Sequence, residues 1–253
     1  MRILVTGASR GIGRHIVRAL AEPGRTIHLH ARTVEALKET GEACAAKGAE
    51  VVLHGAELTI EGATALAEEV GDLDMIVNNA GVSGTELRPP WEISTAEFVD
   101  TMTTNVYAPF ILNSSAAKSM LGRGGYIVDL SSGAAVTDRG DSADYWVSKT
   151  ALLRLGGSFH EAGIQHGIKV FEVAPGVVQT DMTNAMSMHN DRTEWTDPAE
   201  VSGIISAISH GELDALAGTQ LRAGVDKLPD LLERAQRGIT NAERKLRLTG
   251  WND

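Results

Sequence analysis

The sequence predicts an α/β protein, a doubly wound parallel sheet of about seven strands covered by helices on both faces. Three observations carry that expectation. Short, nearly continuous apolar runs recur along the 253 residues. Between them lie longer stretches whose apolar residues return at helical spacing. A glycine cluster, TGASRGIG at Thr6–Gly13, separates the first apolar run from the first helical stretch. Near-continuous apolar strands belong to a sheet buried on both faces, and right-handed crossovers then wind helices onto both sides.

In chain order, strands are expected at Arg2–Val5, Thr26–Ala31, Glu50–His54, Met75–Asn78, Gly125–Leu130, Lys169–Ala174 and Thr219–Ala223. Helical spacing marks Gly11–Ala21, Val34–Lys47, Ile60–Gly71, Thr95–Leu121 and Asp144–His166. No linker, repeat or low-complexity tract interrupts the alternation, so residues 1–253 are expected to form a single domain. Lys227 to Asp253 reads as a C-terminal extension. Its Leu228, Leu231, Leu232, Ala235 and Ile239 share one helical stripe, which suits packing on the domain's own surface better than a subunit contact or a lid.

Composition narrows the partners. A formal net charge of -10 repels nucleic acid and anionic membranes, so neither is an expected partner. The single cysteine, Cys44, permits no internal disulfide and suits a reduced, cytoplasmic setting. No apolar run approaches a membrane span, and Met1-Arg2 leads directly into a strand, which leaves no room for a signal peptide. His28 and His30 alternate on one strand without a Cys or carboxylate at metal-site spacing, so no metal is expected there.

The glycine cluster follows a strand and opens a helix, the setting of a nucleotide cradle. Gly7 suits a sharp turn; Gly11 and Gly13 let a pyrophosphate and a neighbouring strand come close. The helix beginning near Gly11 aims its free N–H groups and positive dipole end at the phosphate, with Ser9, Arg10 and Ile12 around it. In a dinucleotide-binding Rossmann fold, an acid about 20 residues further on holds the ribose 2′-hydroxyl, whereas an arginine there suits a 2′-phosphate. The second strand ends His30-Ala31-Arg32-Thr33, with no acid before Glu35. Arg32, flanked by Arg10, therefore points to NADP(H) in preference to NAD(H).

Tyr145 and Lys149, at i and i+4, share a helix face. A free phenol has a pKa near ~10. A nearby ammonium favours the phenolate, and such a phenol can pass a proton to a carbonyl or take one from an alcohol. A serine hydroxyl beside it can hydrogen-bond the oxygen where negative charge develops.

Taken together these motifs resemble the short-chain dehydrogenase/reductase family, over nearly the whole chain up to about Asp226. TGASRGIG matches that family's cofactor loop, and NNAG at Asn78–Gly81 matches its motif after the fourth strand. Asn105, Ser132, Tyr145 and Lys149 match its catalytic tetrad; Ser132 is preferred to Ser131 because it lies 13 residues before Tyr145. PGVVQT at Pro175–Thr180 matches the loop that holds the nicotinamide carboxamide. The resemblance implies that Lys149 holds the nicotinamide ribose and that Asn105 anchors a proton-passing water. It implies cofactor contacts from Asn79, Ala80, Gly81, Pro175, Gly176, Val178 and Thr180. It also implies a homodimer or homotetramer through the long helices. Two positions depart from the family. Glu57 before Leu58 replaces the usual adenine-contacting Asp, and GTQLRAGVD replaces the usual Asp-Gly-Gly after the last strand.

The implied function is reduction of a ketone or aldehyde by NADPH, or the reverse oxidation of an alcohol. A 3-oxoacyl thioester reductase acting with an acyl carrier protein is the alternative enzyme. A non-catalytic NADP(H)-binding sensor or scaffold is the alternative outside enzymes. The substrate pocket is expected to be lined by Val82–Trp91, Gly133–Asp144 and Met182–Trp195, which contain Arg88, Arg139, Arg192, Asp138, Asp141, His189, Trp91 and Trp195.

Overall fold

The computed structural model describes residues 1–84, 86–186, 189–239 and 244–247. The strands are β1 (Arg2–Val5), β2 (Thr26–Ala31), β3 (Glu50–Gly55), β4 (Met75–Asn78), β5 (Gly125–Leu130), β6 (Ile168–Ala174) and β7 (Gln220–Arg222). They form one parallel sheet in the order β3-β2-β1-β4-β5-β6-β7. Every expected strand is present, with ends shifted by a residue at most.

The helices are α1 (Gly11–Leu20), α2 (Lys38–Ala45), α3 (Ile60–Val70), α4 (Thr95–Met102), α5 (Ala108–Met120), α6 (Ala143–Gly163), α7 (Asp181–Asn184), α8 (Pro198–Ser209) and α9 (Leu228–Arg237). The strand period of two sorts the core into two layers. Ile3 and Val5 of β1 face one cluster with α1, α2 and α8, whereas Leu4 faces the other with α3 and α5. Leu228, Leu232, Ala235 and Ile239 pack with buried Leu231 against the first cluster, so the α9 stripe covers the protein's own core. Residues 240–243 and 248–253 of the C-terminal extension lie outside the described residues.

One expected element is divided. The Thr95–Leu121 stretch is not a single helix: a π-helical turn at Thr103–Tyr107 separates α4 from α5. Pro109 gives the reason. It has no N–H for the carbonyl of Asn105, four residues back, and its ring would strike that carbonyl in a regular helix. The widened turn relieves the clash and holds Asn105 at 1% exposure, facing inward. His28 and His30 are buried in β2, and burial lowers both to about 4, so they stay neutral near pH 7. His28 Nδ1 pairs with His54 Nε2 at 2.9 Å, and His54 Nδ1 with Glu69 Oε1 at 2.9 Å.

Gly13 is the tightest point between β1 and α1. A Cβ there would overlap the Gly7 carbonyl oxygen, which is backbone and cannot swing aside. Overpacking typically costs about 1–3 kcal/mol. Gly13→Ala is therefore expected to destabilise the fold by an amount at the upper end of that range, read as a lower urea midpoint. An unchanged midpoint in equilibrium denaturation would contradict the packing described.

Candidate active site

The sheet's winding direction reverses beside β1, and a crevice opens there at the C-terminal ends of β1 and β4. The glycine loop forms one wall. Gly7 and Gly11 adopt positive φ of 67° and 52°, open to glycine without strain. Arg14 braces the loop by donating Nε and Nη2 to the Ser9 carbonyl at 3.0 and 2.9 Å. Opposite stands the loop after β6, where Thr180 caps α7 and faces Gly11. Arg10 reaches across to Asp181 at 3.0 Å. Arg32 is exposed just past the end of β2 and has no ion-pair partner among the described residues. Glu57 is exposed, Leu58 is half-buried, and Val178 is buried in the core at 1% exposure, so Val178 offers the crevice only its backbone. Asn79 and Ala80 border the glycine loop, whereas Pro175 and Gly176 begin the opposite wall.

Ser132 and Tyr145 open on one cavity of about 330 Å³ next to this crevice. Ser132 lies two residues beyond β5, and its Oγ accepts the Ala134 N–H at 3.1 Å, which leaves the hydroxyl proton free to donate. Tyr145 lies in the first turn of α6, and Ser142 just before that helix has a positive φ of 47°. Lys149, one turn on, places Nζ 5.8 Å from the Tyr145 ring centre and donates to the Leu130 carbonyl at 2.8 Å. Gly81 passes beside both Lys149 Nζ and Asn105 Oδ1, and a Cβ there would crowd Asn105 Oδ1. Asn105 brackets the same stretch: Oδ1 accepts from Val82 N at 2.8 Å, and Nδ2 donates to Val82 O at 2.9 Å. Nδ2 also donates to Ser148 Oγ at 3.0 Å. The four tetrad positions are thus brought together, Ser132 and Tyr145 at the cavity, Lys149 and Asn105 behind them. A carbonyl oxygen between the first two would meet two O–H donors.

A family model described as short chain dehydrogenase matches residues 1–191. The chain belongs to the short-chain dehydrogenase family. It is 32% identical over 200 residues to the gluconate 5-dehydrogenase of Gluconobacter oxydans (strain 621H), covering 77% of each chain. Among solved structures it is similar to a metagenomic short-chain oxidoreductase in complex with NADP. The TM-score is 0.71 at 32% identity, over 83% of this chain and 90% of that one. It is also similar to the 3-oxoacyl-[acyl-carrier protein] reductase of Brucella melitensis in complex with NAD. There the TM-score is 0.78 at 25% identity, over 87% and 94% of the chains.

The cavity of this short-chain dehydrogenase differs from the one expected. All three expected segments line it, but of the eight charged and aromatic residues they contain, Asp141 and His189 reach the wall. Arg88 instead pairs with Glu97, Arg139 pairs with Asp141 and lies over the Trp146 ring, and Arg192 donates to His189. Trp91 is 83% exposed, and Trp195 packs edge-on against His189. The wall is largely apolar, with Leu87, Met182, Trp146 and Val225. Trp146 and Arg222 were not singled out from the sequence. Arg222 had a usable signal, because ligands of open α/β sheets bind beyond the C-terminal ends of strands and Arg222 ends β7.

Proposed function

We propose that the protein is an NADP(H)-dependent oxidoreductase that reduces a ketone or aldehyde to an alcohol, or runs the reverse oxidation. The observation that carries this reading is the shared cavity of Ser132 and Tyr145 beside the glycine-lined crevice. The glycine loop, Asn79, Ala80, Gly81 and the Pro175–Thr180 loop hold the cofactor, which supplies or takes the hydride. Ser132 donates a hydrogen bond to the substrate oxygen. Tyr145 gives that oxygen its proton, or removes it in the reverse direction, and the Lys149 ammonium stabilises the phenolate. Asn105 keeps the Val82 stretch and Ser148 in place around Lys149.

A second reading, reduction of a 3-oxoacyl thioester, is favoured by the apolar cavity wall and by the likeness to the Brucella reductase. NADP(H) is preferred on Arg32, the exposed cation where a 2′-phosphate would lie; the likeness to an NADP-bound oxidoreductase supports it. We further propose a homodimer or homotetramer. Val99, Tyr107, Phe110 and Val147 are each about half exposed on α4, α5, α6 and the turn between α4 and α5. A second copy would cover such an apolar face.

Three outcomes are expected. The kcat/KM ratio of NADPH to NADH exceeds one and collapses in Arg32→Ala; equal ratios in both proteins would remove the cofactor assignment. Light scattering at micromolar concentration gives at least twice the chain mass, and a monomer would refute the oligomer. In Tyr145→Phe, single-turnover hydride transfer with saturating cofactor slows by about 10²–10⁴ while the fold persists. A rate near wild type in that folded variant would place the acid–base group elsewhere.

A further inference from the structure

Behind the site, β5 and β6 pair with Asp129 directly opposite Glu172. Both side chains are buried, at 0% and 4% exposure. Their surroundings are unequal. Asp129 Oδ1 accepts from Asn78 Nδ2 at 2.7 Å, and its two oxygens accept from Asn113 Nδ2 at 3.3 and 3.4 Å. No amide donor reaches either oxygen of Glu172 among the described residues; the Ser131 hydroxyl and the Asp129 carboxyl are the side chains that act on it. The Glu172 carboxyl fills the space left by Gly156 of α6, where a Cβ would overlap its Oε1.

Amide donors stabilise a carboxylate, and a buried carboxylate without donors is costly. Two adjacent carboxyl groups also resist ionising together. The proton therefore belongs on Glu172 and the charge on Asp129. Burial pushes Asp129 up to about 6; burial first, and then the charge of Asp129, pushes Glu172 well above the usual carboxylate range.

Lys149 is a cation acting on both carboxyls. It is 6% exposed, and its described hydrogen bond goes to the carbonyl of Leu130, the residue after Asp129. A buried ammonium needs a counter-charge. The other groups packed around the acids are Asn78, Asn113, Ser131 and Gln220, which are uncharged. A cavity of about 370 Å³ reaches Glu172 from the far side of α6, lined by Arg154, His160, Glu161, Arg244, Lys245 and Arg247. There Arg244 pairs with Asp226 and Lys245 with Glu161, Arg154 and Arg247 donate to the Leu246 carbonyl, and burial lowers His160.

We propose that Asp129 and Glu172 share one proton and one negative charge, and that this buried monoanion is the counter-charge of the Lys149 ammonium. The two acids are then positioning residues for the proton transfer, a step that rests on the function proposed above. The proton itself and the charge on Lys149 do not rest on it.

The test uses Glu172→Gln and the double variant Asp129→Asn/Glu172→Gln, both isosteric. Infrared spectroscopy near neutral pH should show a protonated-carboxyl band in wild type and in Tyr145→Phe, lost in Glu172→Gln. A wild type without that band overturns the shared proton. The NMR titration of the Lys149 side chain, assigned by its loss in Lys149→Met, should move to lower pH by about 1 unit or more in the double variant. It should stay in place in Glu172→Gln, which keeps the Asp129 charge. A double variant that is folded and unmoved overturns the counter-charge. Given a substrate, the acid limb of kcat/KM for alcohol oxidation should follow the same pattern, because losing the anion eases phenolate formation. An acid limb unmoved beside a moved Lys149 titration overturns the positioning role. Absence of turnover in wild type would count against the proposed reaction, while the two spectroscopic readouts still decide the proton and the charge.

Discussion

The side chains of Thr6 and Asn79 hold the two lips of the crevice together, and the rest of the site hangs from them. Thr6 Oγ1 accepts the backbone N–H groups of Asn79 and Ala80 at 3.1 and 3.0 Å. Asn79 Nδ2 returns hydrogen bonds to the Thr6 and Gly7 carbonyls at 2.9 and 3.1 Å. Loops that leave neighbouring strands at a reversal of winding have no ladder to join them, so side chains must supply the missing pairing. The fastening continues from there. Gly81 and Val82 run on to Asn105, Asn105 donates to Ser148, and Ser148 donates to the Tyr145 carbonyl at 2.8 Å. A polar chain thus runs from the glycine loop to the backbone of Tyr145.

Much of this was legible in the sequence because it rests on local rules. The strands declare themselves as apolar runs, and the turn after β1 is written in Gly7 and Gly11, whose positive φ tolerates little else. The separation of Ser132 from Tyr145 and of Tyr145 from Lys149 reflects one strand end and one helical turn. The α9 stripe likewise predicted its own burial, because an amphipathic helix with a core beside it uses that core first.

What escaped the sequence depends on contacts between distant segments. The Arg10 contact with Asp181, 171 residues away, could not be read from the glycine loop. The three pocket segments were legible, yet six of the eight charged and aromatic side chains they contain stay out of the wall, because a loop's position does not say which way each residue turns. The π-helical turn was in principle readable from Pro109, but its effect falls on Asn105, four residues earlier. The buried acids gave no local sign: Asp129 and Glu172 sit within ordinary apolar strands, and only the register of β5 against β6 brings them face to face.

The C-terminal extension has a bearing on solubility that its short helix does not suggest. Gln220 of β7 donates its backbone N–H to the carbonyl of Arg244 at 3.0 Å, on the side away from β6. Arg244 is in turn pinned by Asp226, and the Leu246 carbonyl by Arg154. The chain thereby covers part of the last strand of its own sheet. A bare outer strand is a template for pairing with other chains. Residues 244–247 thus act as a selvedge, the self-finished border that keeps a woven edge from fraying into its neighbours.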